Sequence, residues 1–233
     1  MRATLSPRTG YRCAFRSSML GFDRVATLLP GGGFYRGIMV DKSSTLEGQF
    51  LIAMPSMGDP RFERTVIYLC AHSQEGAMGF VINQVMERPS VPEFLRQLSI
   101  IGEDESEPVS AELERMPLHT GGPVEPGRGF VLHSPDYALE TTVSIDPEVS
   151  LTATLEILRA IATGRGPRHV MLALGYSGWA SGQLEEEIAS NGWLTAHADT
   201  ALLFDRADES KYERALRGLG IDPGLLSGEA GHA

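Results

Sequence analysis

The chain has 233 residues, 42% hydrophobic and 21% charged, and its 20 Lys+Arg against 30 Asp+Glu give a formal charge of −10. This is enough ordinary globular material for one good-sized domain or two small ones, and it excludes a disordered or fibrous chain. No run of about 18 apolar residues exists to span a membrane, two cysteines (Cys13 and Cys70) make no disulfide framework, and the acidic balance argues against bulk nucleic-acid binding.

The charge is unevenly divided. Residues 1–40 hold six Arg and one acid, Asp23, for +5, whereas 41–233 hold the other 14 basic and 29 acidic residues, for −15. Lys42 and Lys211 are the only lysines. An Arg-rich chain fits bidentate recognition of phosphate or carboxylate, but coding bias toward Ala, Gly and Arg is the simpler explanation. Residues 1–38 are Arg-rich, acid-poor and aperiodic, ending near Pro30-Gly31-Gly32-Gly33. A transit peptide, a basic arm and an upstream stretch before a true start at Met39 compete here. The start at Met39 is favoured and the arm comes second. The expected organisation is a basic, disordered extension over 1–38, one domain over 39–227 and a flexible tail over 228–233.

In chain order, 49–54 is a short apolar run closed by Pro55, which predicts a buried strand. The loop Ser56-Met57-Gly58-Asp59-Pro60 follows. Residues 64–71 are β-branched and aromatic, a second strand; Ser73-Gln74-Glu75-Gly76 reads as a hairpin turn and 79–83 as a third strand. Short strands joined by turns predict an antiparallel meander. A helix is expected over 91–98, with Ser90 as N-cap and Pro92 in its first turn. Residues 102–114 carry six acids and no base, which reads as a solvated loop lacking the ligand spacing of a calcium site. Strands are expected at 117–120, 129–133 and 141–145. The helix over 151–162 carries Leu151, Leu155, Leu158, Ile161 and Ala162 on one side, with Gly164 after its end. Residues 169–174 predict a central strand, 175–178 a turn, 183–189 an acidic helix, and 193–194 and 201–204 short strands. The last helix opens on a capping box, Ser210 and Glu213, and shows a stripe of Tyr212, Ala215, Leu216 and Leu219.

Four features carry possible chemistry. Gly175-Tyr176-Ser177-Gly178-Trp179 has the look of a nucleophile elbow, but Trp179 replaces its last glycine and the helix begins too late. As an anion site the same turn is opposed by Glu185, Glu186 and Glu187. Thr120-Gly121-Gly122-Pro123-Val124 reads as a β-bulge or strand crossing, or as a place where backbone approaches a ligand. His72, His119 and His133 sit at or near strand ends without any local zinc signature, so satisfied structural roles are expected of each. Cys70 is an inert buried thiol, and Arg64 more readily holds a buried carboxylate than a ligand. If strand ends do converge on a ligand, the site comprises Arg64, His72, Asn83, Gly121, Gly122, His133, Ser177 and Trp179. No catalytic set, metal or cofactor is assigned.

Several runs, in order, resemble a known family: Gly48–Pro55 with Phe62–Tyr68, then Gly79–Asn83, Gly121–Val124, Gly129–His133, Leu174–Trp179 with Gly182–Glu185, and Asn191–Leu194. Together they are similar to the AlgH/YqgE family of bacterial proteins, over about residues 48–226. One departure is Tyr212, where members tend to place tryptophan. The resemblance implies an α+β fold, with a mixed or antiparallel sheet core flanked by helices in a single globular domain. It also implies a cytoplasmic protein without an established enzyme activity, some of whose relatives are labelled transcriptional regulators. The function expected is therefore a non-catalytic regulatory or binding protein, meeting an unknown protein partner or small ligand and no membrane. Direct nucleic-acid binding is disfavoured, because the −15 body offers no basic stripe. The alternatives are a ligand-binding protein or enzyme using the strand-end cluster, and an assembly role through the segments bearing Trp179 and Trp193.

Overall fold

The computed structural model describes residues 45–102 and 109–225. The expectations for 1–38 and 228–233, and for the most acidic part of the 102–114 segment, lie outside those residues. The strands are β1 (Gln49–Ala53), β2 (Val66–Ser73), β3 (Gly76–Val81), β4 (Leu118–Thr120), β5 (Val124–His133), β6 (Val143–Ser144), β7 (Ser150–Thr152), β8 (Val170–Ala180) and β9 (Trp193–His197). The helices are α1 (Val91–Gln97), α2 (Ala111–Glu114), α3 (Leu155–Ala162), α4 (Gln183–Ala189), α5 (Thr200–Leu203) and α6 (Lys211–Gly218). This is the expected α+β architecture: one curled sheet in the order β6-β7-β5-β8-β3-β2-β1-β9, antiparallel throughout that path, with β4 added parallel to β8. Among the described residues no helix is long and apolar enough to cross a membrane.

The predicted meander is present as β1, β2 and β3, with Leu51 opposite Ile67 and Ile67 opposite Val81. Alternation along these strands serves two cores. Leu51, Ala53, Ile67, Leu69, Ala77 and Val81 meet Trp179, Trp193 and, from α4, Leu184. Phe50, Ile52, Tyr68 and Phe80 are equally buried, and α6 packs on β1 and β2. The other half of the sheet buries Leu118, Val131, Leu172 and Leu174 beneath α1, α2 and α3.

Helix α1 begins as expected. Ser90 accepts from the Glu93 N–H and Glu93 accepts from the Ser90 N–H, a closed capping box with Pro92 in the first turn. Six local expectations are corrected. Residues 111–114, expected to lie in a solvated loop, form helix α2, started by Ser110 accepting from the Leu113 N–H and held by the burial of Leu113. Residues 175–178 are no turn but the interior of β8, which runs unbroken for 11 residues and bends at Gly175, φ +70. Residue 151 does not open a helix. Leu151 pairs with Leu132 in β7, and α3 starts only at Leu155, whose side chain is exposed. The strand expected over 141–145 shrinks to Val143–Ser144, because Thr142 is tied into a turn by its N–H to the Leu139 carbonyl. Residues 201–204 fall in helix α5 and its C-cap, started by Asp199 accepting from the Ala201 N–H; four apolar residues alone do not separate helix from strand. The capping box at Ser210 is open: its hydroxyl donates to the Ala207 carbonyl, and Glu213 turns away to Arg64.

Candidate functional site

The glycine-rich runs meet where the chain crosses itself. The Gly121 N–H donates to the Leu174 carbonyl at 2.8 Å, and the Gly121 carbonyl accepts from the Val81 N–H at 2.9 Å and the Ser177 hydroxyl at 3.3 Å. A Cβ on Gly122, at φ +151, would overlap the Tyr176 carbonyl, and one on Gly175 would lie 2.5 Å from the Gly122 oxygen. Glycine is required because backbone fills the crossing. Gly121, Gly122 and Ser177 are thus brought together, with Ser177 fully buried.

Arg64 and Asn83 form a second place. Arg64 precedes β2 at φ +53, a conformation disfavoured for side-chain-bearing residues. Asn83 clamps it there: its amide donates to the Arg64 carbonyl at 2.9 Å while its oxygen accepts from the Val66 N–H at 2.8 Å. The half-exposed guanidinium lies 4.8 Å above the Tyr212 ring and pairs with Glu213.

His72 and Trp179 share a third neighbourhood, in register across β2, β3 and β8 through Ala77. His72 accepts from the Leu46 N–H through Nδ1, at 3.1 Å, and its Nε2 lies 2.8 Å from Glu185 of α4. The indoles of Trp179 and Trp193, edge to face at 6.0 Å, both donate to one oxygen of Glu187, at 2.9 and 2.8 Å. Both rings are buried.

His133 stands apart from the other seven, fully buried in β5. Its Nδ1 donates to the Ser134 carbonyl, and its Nε2 lies 2.9 Å from the Thr152 hydroxyl, itself 2.8 Å from that of Thr142. Burial holds this imidazole below its ordinary range, outweighing the nearby Ser134 carbonyl and Asp136. Cys70 and Tyr68 are pushed the other way, Cys70 by burial and Tyr68 by burial and its bond to Asp146.

The most polar interior cluster escaped sequence reasoning. Lys211, wholly buried at the start of α6, donates to the Ile82 and Leu203 carbonyls at 2.9 and 3.1 Å and pairs with Asp208 at 2.8 Å. The same Asp208 oxygen lies 3.0 Å from His119 Nε2, whose Nδ1 faces the Leu172 carbonyl at 3.2 Å. Burial raises the Asp208 carboxyl, but His119 and Lys211 outweigh it and hold it below the usual range. Burial lowers the Lys211 ammonium, and Asp208 only partly restores it. A signal was available: Lys211 lies four residues before Ala215, on the apolar stripe. Among the described residues, no group of three or more His, Cys, Asp or Glu is placed to hold a metal.

These arrangements define an α+β protein in which His72, His119, His133, Ser177 and Lys211 are bonded within the fold. A family model described as AlgH-like (DUF179) matches residues 50–224. A UPF0301 protein of Beijerinckia indica is 60% identical over 189 residues, covering 81% of this chain and 92% of the relative. UPF0301 protein blr1492 of Bradyrhizobium diazoefficiens is 59% identical over 189 residues, covering 81% and 88%. The solution structure of the AlgH protein from Pseudomonas aeruginosa is similar at 41% identity and a TM-score of 0.66, covering 82% of this chain and 97% of that one. Protein DIP2367 from Corynebacterium diphtheriae, at 19% identity and a TM-score of 0.54 over 73% of this chain and 85% of its own, shares the fold. The chain belongs to the AlgH-like family.

Proposed function

We propose that this protein is a regulatory binding protein of the cytoplasm that performs no catalysis and acts on transcription indirectly, through a protein partner. One observation supports the reading most: the side chains best suited to chemistry are spent inside the fold. Ser177 is bonded to Gly121, His133 to Ser134 and Thr152, and His119 and Lys211 to Asp208. Charge supports the indirect route, since residues 41–233 sum to −15 and phosphate contact needs clustered cations. The test has two readouts on the full chain. Incubated with a bacterial metabolite extract and followed by mass spectrometry, it should consume no compound beyond its own molar amount; multiple turnovers would reject the proposal. Fluorescence anisotropy with random DNA duplex should stay flat at low and high salt, and salt-sensitive binding would reject the indirect route.

A further inference from the structure

We propose that His133 is a buried proton sensor, loaded from the surface through the hydroxyls of Thr142 and Thr152, and that a proton on it reverses their hydrogen bonds. Hydrogen-bond directions carry the inference. His133 Nδ1 lies 2.9 Å from the Ser134 carbonyl, which can only accept, so Nδ1 holds a hydrogen and the neutral ring keeps its lone pair on Nε2. Thr152, 2.9 Å away, donates to that lone pair. Its hydrogen is then spent, so the Thr142 hydroxyl, at 2.8 Å, donates to Thr152. Thr142 in turn accepts from the Leu139 N–H at 2.9 Å. Every hydrogen in the chain points one way, from Leu139 to the ring. His133 and Thr152 are fully buried, whereas Thr142 is half-buried between exposed Thr141 and Val143 and forms the outer end.

Loading needs no other group. Hydronium gives a proton to Thr142 Oγ, Thr142 passes its own hydrogen to Thr152, and Thr152 passes its own to Nε2. Water is left outside, and one positive charge sits on the ring. Nε2 now donates to Thr152 and Thr152 to Thr142, whose new hydrogen faces outward. The Thr142 oxygen then serves two donors instead of one, which weakens its hold on the Leu139 N–H and so on the loop over 134–142. The groups around the ring are Asp136, which favours the proton, Arg168, paired with Asp136, and His169, bonded to Ser134. Ser150 and Val170 stand opposite on β7 and β8, and the Tyr137 ring meets it edge-on at 6.3 Å. Burial keeps the ring neutral near pH 7, so the sensor turns over only below its ordinary value of 6.5.

Nitrogen-15 NMR of the labelled full-length chain, titrated with acid, tests this. At neutral pH the His133 ring should carry its hydrogen on Nδ1. As the pH falls, Nε2 should gain a proton while the protein stays folded, and the Leu139 amide should shift with the same midpoint. Thr152→Val cuts the chain and should remove most of the Leu139 shift, while Thr152→Ser, which keeps the hydroxyl, should retain it. Asp136→Asn should move the ring and Leu139 midpoints together to lower pH. A hydrogen on Nε2 at neutral pH, a ring that gains no second proton before unfolding, or a Leu139 shift that survives Thr152→Val or vanishes in Asp136→Asn would overturn the proposal.

Discussion

Two buried histidines flank β8, and their company differs. His119 on β4 sits opposite Ala173 on one side, and His133 on β5 sits opposite Val170 on the other. His119 is held by ions: Asp208, and through it Lys211, both from the C-terminal part of the chain. His133 is bonded to neutral groups, the Ser134 carbonyl and the Thr152 hydroxyl, and through the latter to Thr142, all within 19 residues of it. The ionic cluster ties a distant segment to the sheet and must stay complete, because a buried charge without its partner is costly. The neutral relay joins neighbours, and losing one hydroxyl leaves only one polar group unsatisfied.

The largest effect should come from breaking the ionic side. Lys211→Met leaves Asp208 buried with one cation fewer, and Asp208→Asn leaves the ammonium uncompensated; each should cost about 3–5 kcal/mol. Urea unfolding would measure it as a lower midpoint at unchanged slope. The double variant should recover a large share, since it removes both charges. Additive losses would show that the two residues act separately and that no ionic unit exists.

On the neutral side, Thr152→Val removes the hydroxyl between His133 and Thr142 while keeping the shape. The expected loss is about 1–2 kcal/mol, the scale of one buried hydrogen bond. A loss as large as that of Lys211→Met would erase the contrast between the two sides.

The pH response separates His133 from Asp208 further. His133 is depressed by burial, so its folded form resists the proton that the unfolded chain accepts near pH 6.5. Its contribution is complete above that value and is lost as the pH falls toward the folded pKa, with a slope of at most ~1.4 kcal/mol per pH unit. Asp208, also depressed, contributes above the ordinary aspartate range and is lost only at lower pH. His133→Gln should therefore flatten stability between pH 6.5 and 5 and leave the acid limb below pH 4 intact. A variant as steep as the wild type over the upper interval would remove His133 from the account.

The contrast also explains what the sequence could say. The β1–β2–β3 meander, α1 with its Ser90–Glu93 box and the central strand starting near 169 were legible, because each rests on local periodicity or a cap within four residues. The bonded roles expected of His72, His119 and His133 were legible too. Gly175–Gly178 was not, since glycine marks both a turn and a place where another backbone passes. Only the pairing of Gly121 and Gly122 with residues 174–177 decides between them. The eight residues grouped as a strand-end site are joined only in part: Gly121, Gly122 and Ser177 meet at the crossing, Arg64 bonds Asn83, His72 shares a register row with Trp179, and His133 bonds none of them. Lys211 was hidden for a related reason: its partners lie as far off as Ile82.

The smallest effect belongs to the surface counterpart on the same helix. Helix α6 carries Lys211 inward and Glu213 outward, where Glu213 meets Arg64 with a side chain 58% exposed. An exposed pair contributes about 0–1 kcal/mol, and stacking on Tyr212 adds about 0.5–1. Arg64→Ala removes both and keeps the left-handed backbone, so a loss of about 1 kcal/mol is expected. Arg64→Gly removes the same contacts but relieves the φ of +53, a strain of about 1–2 kcal/mol for a residue with a Cβ. Glycine also enlarges the unfolded ensemble, which offsets part of that relief at about 0.4–1 kcal/mol. The glycine variant should therefore be the more stable of the two by about 0.5–1 kcal/mol. Thermal unfolding of both reads the difference directly. Equal melting temperatures would mean that Asn83 imposes no strain at Arg64, and the exposed pair would then account for the whole loss.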